Sequence, residues 1–265
     1  MSKLEKALYI LDEVEINNSI GAIRYDPRAV VLVTLIYIGF IVSIPVGRID
    51  ILIWFALFPI IEAPLFGLQF SRIFLQSQIV LPLVLLIGIF NPFLDREYAF
   101  SIGSVAISEG WVTFIGIILR GLFCMQALLI LIRSMGFIGM VRGLEKLGLP
   151  KFLTSLVLMI FRYMKVLLEE GLSMSRARAS RSYGRSKLSI KMWGILIGQL
   201  FIRSVDRAER VSRAMMARGF NGTIPSYITS SNRWTAGDTV FLTVWLIIFA
   251  LLRIFNISIL FNGLQ

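Results

Sequence analysis

The chain contains no histidine and one cysteine, Cys124. The missing histidine removes the side chain most used for acid–base work near neutral pH and a common metal ligand. The lone cysteine excludes an internal disulfide. Cys124 with scattered methionines does not form a ligand set for a metal pore, so no metal site is expected. Clustered carboxylates are absent as well. Glu169 and Glu170 are adjacent and point in different directions on a helix, so they do not supply a shared catalytic pocket. No glycine-rich phosphate loop of the Walker type occurs, and the chain is not expected to bind ATP itself. Neither enzymatic chemistry nor a cofactor is expected. Charge is sparse too, at 16% of the 265 residues.

What fills the chain instead is apolar. Hydrophobic residues make up 57% of it and the mean hydropathy is +0.79, outside the range of ordinary soluble domains. Several runs approach the roughly 20 residues that cross a bilayer core. The fold class that follows is all-α: a polytopic helical membrane protein with five crossings and a cytoplasmic pair of long helices. Residues 1–28 interleave acids with apolar residues and lack an uninterrupted apolar core. They fit an amphipathic helix at the membrane surface, not a signal peptide.

In Tyr25-Asp26-Pro27-Arg28, Asp26 suits a helix N-cap, with Pro27 at the first helical position. Residues 29–133 hold four expected spans: Ala29–Val46, Ile51–Phe70, Phe74–Phe90 and Val112–Ile132. The second carries Pro59, Glu62 and Pro64. A carboxylate at that depth normally faces protein or water, so Glu62 is either a contact to a partner subunit or a mark of a distorted interfacial end. Asn91-Pro92-Phe93 signals a turn, and residues 94–110 read as an irregular external loop. Arg120 interrupts the fourth span. It stands about 20 Å from Arg133 along a helix, toward the outer third of the bilayer. Arg120 is a candidate partner contact, or equally a snorkelling or internally paired side chain.

Residues 134–237 differ in character. Between Lys151 and Phe220 lie 14 Lys or Arg against 4 Asp or Glu, which places the block in the cytoplasm and the N-terminus with it. Phe152–Phe161 is apolar but too short to cross, and it runs into a wetter half carrying Arg162, Glu169 and Glu170. A second helix begins near Ser186 or Ser189. Its charged half offers two favourable i,i+4 pairs, Asp206 with Arg210 and Glu209 with Arg213. Residues 238–265 form a last span, Asp238–Leu260, and a tail.

Each long cytoplasmic helix closes on the same pattern. Ala177-Arg178-Ala179-Ser180-Arg181-Ser182-Tyr183 and Ala214-Met215-Met216-Ala217-Arg218-Gly219-Phe220 align without a gap at an offset of 37 positions. Each sets one Arg between small residues and ends on an aromatic. The small neighbours allow close approach, and the guanidinium offers a rigid fork of donors. A solvated or lipid-hugging face explains the excess of positive charge but not this spacing. A membrane-anchored binder of anionic lipid or nucleic acid is therefore the reading from a different class. Two matched Arg-bearing helix ends suit a dimeric partner better.

These pieces resemble the T component, or transmembrane coupling subunit, of energy-coupling-factor (ECF) transporters, closest to the CbiQ-type branch associated with cobalt and nickel uptake. The resemblance rests on Asp26-Pro27-Arg28, Asn91-Pro92-Phe93, Arg120, Arg162-Tyr163, Leu168-Glu169-Glu170, the run Arg203 to Val211 and, most specifically, Ala214 to Phe220. It implies two cytoplasmic ABC ATPase subunits and a substrate-binding membrane S component, with an optional small accessory membrane subunit. It also implies a multi-pass place in a bacterial or archaeal plasma membrane, with no nucleic acid involved. Ala217-Arg218-Gly219 and Ser180-Arg181-Ser182 would then insert into the ATPases, supported by Arg207, Glu209, Arg210, Arg162, Glu169 and Glu170. Ala177-Arg178-Ala179 offers a competing register for the first signature; Arg181 is preferred because its flanks reproduce those of Arg218. A T component of a vitamin importer is the nearest alternative.

Overall fold

The computed structural model describes residues 25–45, 48–94, 98–102, 105–181, 189–222 and 234–262, with backbone alone at 93–94, 98–102, 105–109 and 255–262. The expected helix within residues 1–28 lies outside the described residues up to position 24. The chain forms two compact units. Of the described residues, 25–143 and 234–262 make a membrane unit, and 144–222 make a helical unit. The division falls about ten residues beyond the expected boundary at 133.

The membrane unit begins with α1, Pro27–Ser43, whose first turn forms as the sequence dictates. Asp26 caps it by accepting from the Arg28 amide at 2.9 Å, and Pro27 occupies the first helical position. The expected second span is broken. It becomes α2, Ile49–Phe55, and α3, Leu57–Leu65, and the chain turns at Gly67 before Phe70. Proline causes the first break: Pro59 has no N–H to offer the Phe55 carbonyl four residues earlier. The Tyr37 hydroxyl of α1 donates to that carbonyl instead, at 2.9 Å. Glu62 therefore does sit in a distorted segment.

The third span starts earlier than expected. It runs Phe70–Gly88 as α4 (Phe70–Ser77), a 3-10 turn at Gln78–Val80 and α5 (Leu81–Gly88). A short α6, Asn91–Leu94, follows the span. The stretch read as an irregular loop holds a two-stranded antiparallel ribbon, β1 (Tyr98–Ile102) and β2 (Val105–Ser108), pairing Ile102 with Val105 and Phe100 with Ile107. The alternation Tyr98, Phe100, Ile102 / Val105, Ile107 around Gly103-Ser104 was the signal, and it is a hairpin signal.

α7 extends from Glu109 to Lys146, across a kink where Gly136 leaves helical geometry (φ 69°, ψ 170°). It thus continues well past Ile132. α10, Ala236–Asn262, is the last span. Among the described residues, Phe70–Gly88, Gly110–Lys146 and Ala236–Ile254 are long and apolar enough to cross a membrane, and Pro27–Ser43 is a shorter apolar helix. The fold is all-α apart from the ribbon, and the chain is a polytopic membrane protein.

Aromatic rings from α1, α2, α3 and α10 form the packed centre of this unit. Tyr37 stacks on Phe58 at 4.1 Å, Trp245 meets Phe58 edge-on at 4.7 Å, and Phe249 touches all three and Phe55. Such offset and edge contacts contribute beyond the area they bury. α7 closes on α1 through Gly143: a Cβ there would stand 2.9 Å from the Pro27 carbonyl oxygen. Glycine is what lets the two backbones touch.

The helical unit holds two long helices, α8 (Lys151–Arg181) and α9 (Ile190–Ala217). Ser189 is the N-cap of α9, accepting from the Met192 amide at 3.4 Å, so the later of the two expected starts is the one used.

Candidate functional site

The two Arg patterns end the two long helices. At the second, Arg218 is the C-cap residue and Gly219 follows with φ 81°. The Phe220 amide donates back to the Met215 carbonyl and the Gly219 amide to the Met216 carbonyl, both at 3.0 Å. This is a Schellman ending, which needs a left-handed residue just after the cap, hence glycine there. Its hydrophobic accompaniment is present as well, since Phe220 and Met215 line the same groove. The motif fixes the direction in which the chain leaves the helix and holds Arg218 on the exposed tip.

At the first pattern, Arg181 is the last residue of α8, and Ser180 Oγ donates to the Arg176 carbonyl at 3.1 Å. Arg181 is exposed, like Arg218, whereas Arg178 is half-buried. Ser182 lies outside the described residues. Among the described residues, the side chains of Arg181 and Arg218 make no hydrogen bond or ion pair.

The helices are tied to each other upstream of these tips. Glu170 of α8 accepts from Arg207 of α9 at 3.1 Å and from Arg203 at 3.4 Å. Glu170 and Arg207 are separated by 37 positions, the same offset as the two signatures. The ion pair therefore joins equivalent points of the repeat. Each signature Arg stands 11 residues past its half of the pair, about 16 Å along its helix. Gly171, next to Glu170, faces Leu200 across the same crossing.

An apolar groove of about 750 Å³ lies between the helices, lined by Phe152, Met159, Tyr163, Leu167, Met215 and Phe220 among others. Glu209 pairs with Arg213 at 3.9 Å as the spacing predicts. The other expected pair, Asp206 with Arg210, is not made among the described residues. Arg162, Glu169 and Arg210 are exposed on the same two helices.

The two intramembrane candidates turn inward. Glu62 is fully buried, and among the described residues neither carboxylate oxygen has a hydrogen-bond partner. Arg120 is paired internally: its Nη2 donates to the Ile44 carbonyl and, at 2.9 Å, to the Pro45 carbonyl. These carbonyls follow the last turn of α1, where a helix leaves acceptors unfilled and carries partial negative charge.

Sequence reading also missed a joint at the opposite end of α1. Asp238, in the first turn of α10, accepts from the Thr235 amide at 2.8 Å and the Thr235 hydroxyl at 2.7 Å. It accepts as well from the Asp26 amide at 2.7 Å. Thr235-Ala236-Gly237-Asp238 has capping-box spacing, which was the available signal. Its third bond links the N-terminus of α1 to that of α10. Tyr25 stacks on Phe241 above this joint at 4.5 Å.

The sequence matches the model of a family described as "CbiQ: Cobalt transport protein" over residues 21–230. It is also similar to two uncharacterized proteins of Methanocaldococcus jannaschii. Uncharacterized protein MJ1571 is 29% identical over 155 residues, covering 57% of this chain and 52% of the relative. Uncharacterized protein MJ1089 is 36% identical over 90 residues, covering 33% of each. The chain thus spans about half the length of the first and a third of the second.

Proposed function

Because the chain belongs to the CbiQ family of cobalt transport proteins, we propose that it is the T component of an ECF-type importer for cobalt or nickel ions. It passes the ATP-driven motion of two cytoplasmic ATPase subunits to a membrane S component that captures the ion. The membrane is the plasma membrane of a bacterium or archaeon, crossed five times with the N-terminus in the cytoplasm. The family is one of transport components, in keeping with the absence of an acid–base set in the sequence.

The observation that carries this reading is the pair of exposed guanidiniums at matched helix ends, Arg181 and Arg218, which have no partner among the described residues. Each is a plug of planar donors, and each stands 11 residues beyond a shared ion pair, so two equivalent sockets are addressed by two equivalent tips. An Arg entering a partly desolvated socket contributes because the acceptors inside have no other partner. Truncating one such interface Arg costs roughly 2 kcal/mol or more, about a 30-fold loss of affinity. Apolar side chains exposed on the first half of α9, such as Ile197 and Phe201, support a lipid or partner-facing role for that stretch.

The test is pull-down of the ATPase subunits by the intact chain in mild detergent, with cobalt uptake measured alongside at matched expression. Arg218→Ala and Arg181→Ala should each weaken both readouts, and Arg218→Lys should rescue poorly because a point charge lacks the planar fork. If Arg213→Ala, a solvent-exposed control on α9, is as damaging as Arg218→Ala, bulk positive charge is what matters and the plug reading fails.

A further inference from the structure

One face of α3 is buried, and an acid stands on it. Phe58, Pro59, Glu62 and Ala63 are the buried positions, at the i, i+1, i+4, i+5 spacing of a single helical stripe. The other three are apolar. Phe58 enters the aromatic centre beside Tyr37, Trp245 and Phe249. Ala63 packs with Ile73 of α4 and Ile130 of α7, with Phe66, Phe70 and Leu129 around them. Glu62, one position away, is 0% exposed, and no described group bonds either of its oxygens. The residues between, Ile60 and Ile61, face outward and are about half exposed.

Among the described residues no charged group bonds this carboxyl. From α1 it is faced by Tyr37, which lies within electrostatic reach of both Glu62 and Cys124 of α7. The Tyr37 hydroxyl is committed to the Phe55 carbonyl, and Cys124 is a half-buried free thiol. The charged groups of the neighbouring helices are engaged elsewhere or lie apart. Arg28 pairs with Asp26, Arg120 donates to the Ile44 and Pro45 carbonyls, and Arg253 donates to Ser43. Asp238 holds donors from Thr235 and Asp26. Asp50 and Arg72 are exposed, and Arg133, three positions past Ile130, is half-buried without a bond to Glu62.

A carboxylate so placed is far more costly than the neutral acid, because burial strips its hydration and no cation or donor replaces it. Even the neutral acid forfeits hydrogen bonds that an apolar residue would not need. Glu62 therefore fits the packed face of α3 with its proton and not without it. The segment is jointed at both ends. Pro59 interrupts the helix ladder at the α2–α3 break, and Gly67 turns the chain with φ 69°. A carboxylate formed here is relieved when α3 turns it toward water or headgroups. We propose that Glu62 is a proton-binding latch: protonated, it lets α3 pack against α1, α4, α7 and α10, and ionised, it releases α3 from them. The released carboxyl titrates in its ordinary range, near about 4.3. The packed state thus holds the extra proton, so packing is favoured at low pH and weakens as the pH rises. The latch is independent of the Arg181 and Arg218 plugs and of ATPase coupling.

The test follows amide hydrogen exchange in the full chain, purified in mild detergent, at pH 6 and at pH 9, each rate divided by its intrinsic value at that pH. Protection of the amides within Leu57–Leu65 should fall about tenfold or more in wild type as the pH rises. Glu62→Gln, which mimics the neutral acid, should hold that protection within about twofold. Glu62→Met, similar in volume, takes its place if the Gln variant fails to fold. Cys124→Ala should keep the wild-type fall. A flat wild-type profile would overturn the proposal. So would a fall of equal size in α8, which would mark a general loosening, or a fall that survives in Glu62→Gln. A fall that vanishes in Cys124→Ala would overturn it as well, by placing the titrating proton on the thiol.

Discussion

Helices α1 and α9 share an apolar bias and nothing else about their situation. α1 has 17 residues and buries eight of them, including Thr34 and Tyr37; α9 has 28 and buries none. In the membrane unit polar groups are consumed internally. Tyr37 fills a carbonyl that Pro59 leaves open, Arg120 fills the end of α1, and Asp238 gathers three donors at the joint with Asp26. In the helical unit most polar groups stay on the surface, and among the described residues the two that carry the proposed function bond nothing. The difference teaches where binding free energy is kept available. A guanidinium already paired at home has little to give a partner, whereas one held exposed on a capped helix end loses only water and side-chain freedom on docking.

The sharpest way to break this comparison is to remove both tips. Arg181→Ala with Arg218→Ala should abolish ATPase pull-down and uptake, because either remaining plug holds the complex by effective concentration and the double variant has none. Folding should not suffer, and an unchanged melting temperature in detergent is the check. Retained pull-down would place the coupling elsewhere.

Next comes the membrane unit, where the same logic predicts damage to stability in place of binding. Gly143→Leu drives a side chain into the Pro27 carbonyl and Val31. Overpacking of this kind costs about 3 kcal/mol, and thermal unfolding of the purified chain should register it as a clear drop in Tm.

Asp238→Ala should cost about 2 kcal/mol, since it leaves two amides and a hydroxyl without their acceptor and undoes an N-terminal cap. The same unfolding measurement checks it, and Asp238→Asn should recover part of the loss.

Smaller still is Glu170→Gln. Its two ion pairs are partly solvated, with Arg203 58% and Arg207 39% exposed, so roughly 1 kcal/mol is expected. The more telling readout is the ATPase pull-down: if the pair sets the spacing of the tips, affinity falls by more than stability does. At the bottom of the scale, Arg213→Ala breaks a pair of two exposed groups and should alter melting by no more than about 0.5 kcal/mol.

The sequence by itself determined the class and the N-cap at Asp26-Pro27; it narrowed the start of α9 to Ser186 or Ser189 and offered Glu209–Arg213 as one of two i,i+4 pairs. All of these depend on neighbours within one turn or on the length of an apolar run, which the chain order states directly. The repeat at an offset of 37 made both signature tips legible, because a Gly after Arg218 is a local instruction to end a helix. Only the tertiary structure decided the rest. The sequence marks Arg120 and Glu62 as costly in a membrane but does not say which way they turn. The structure turned Arg120 onto the end of α1, and it buried Glu62 with no hydrogen-bond partner among the described residues. Asp26 and Asp238 are 212 positions apart, and Glu170 and Arg207 lie on different helices. No local pattern brings such groups together, since their meeting depends on how helices pack. Packing is set by side-chain shape summed over whole faces, by a glycine at 143 that lets two backbones touch and by a proline at 59 that leaves a carbonyl for Tyr37.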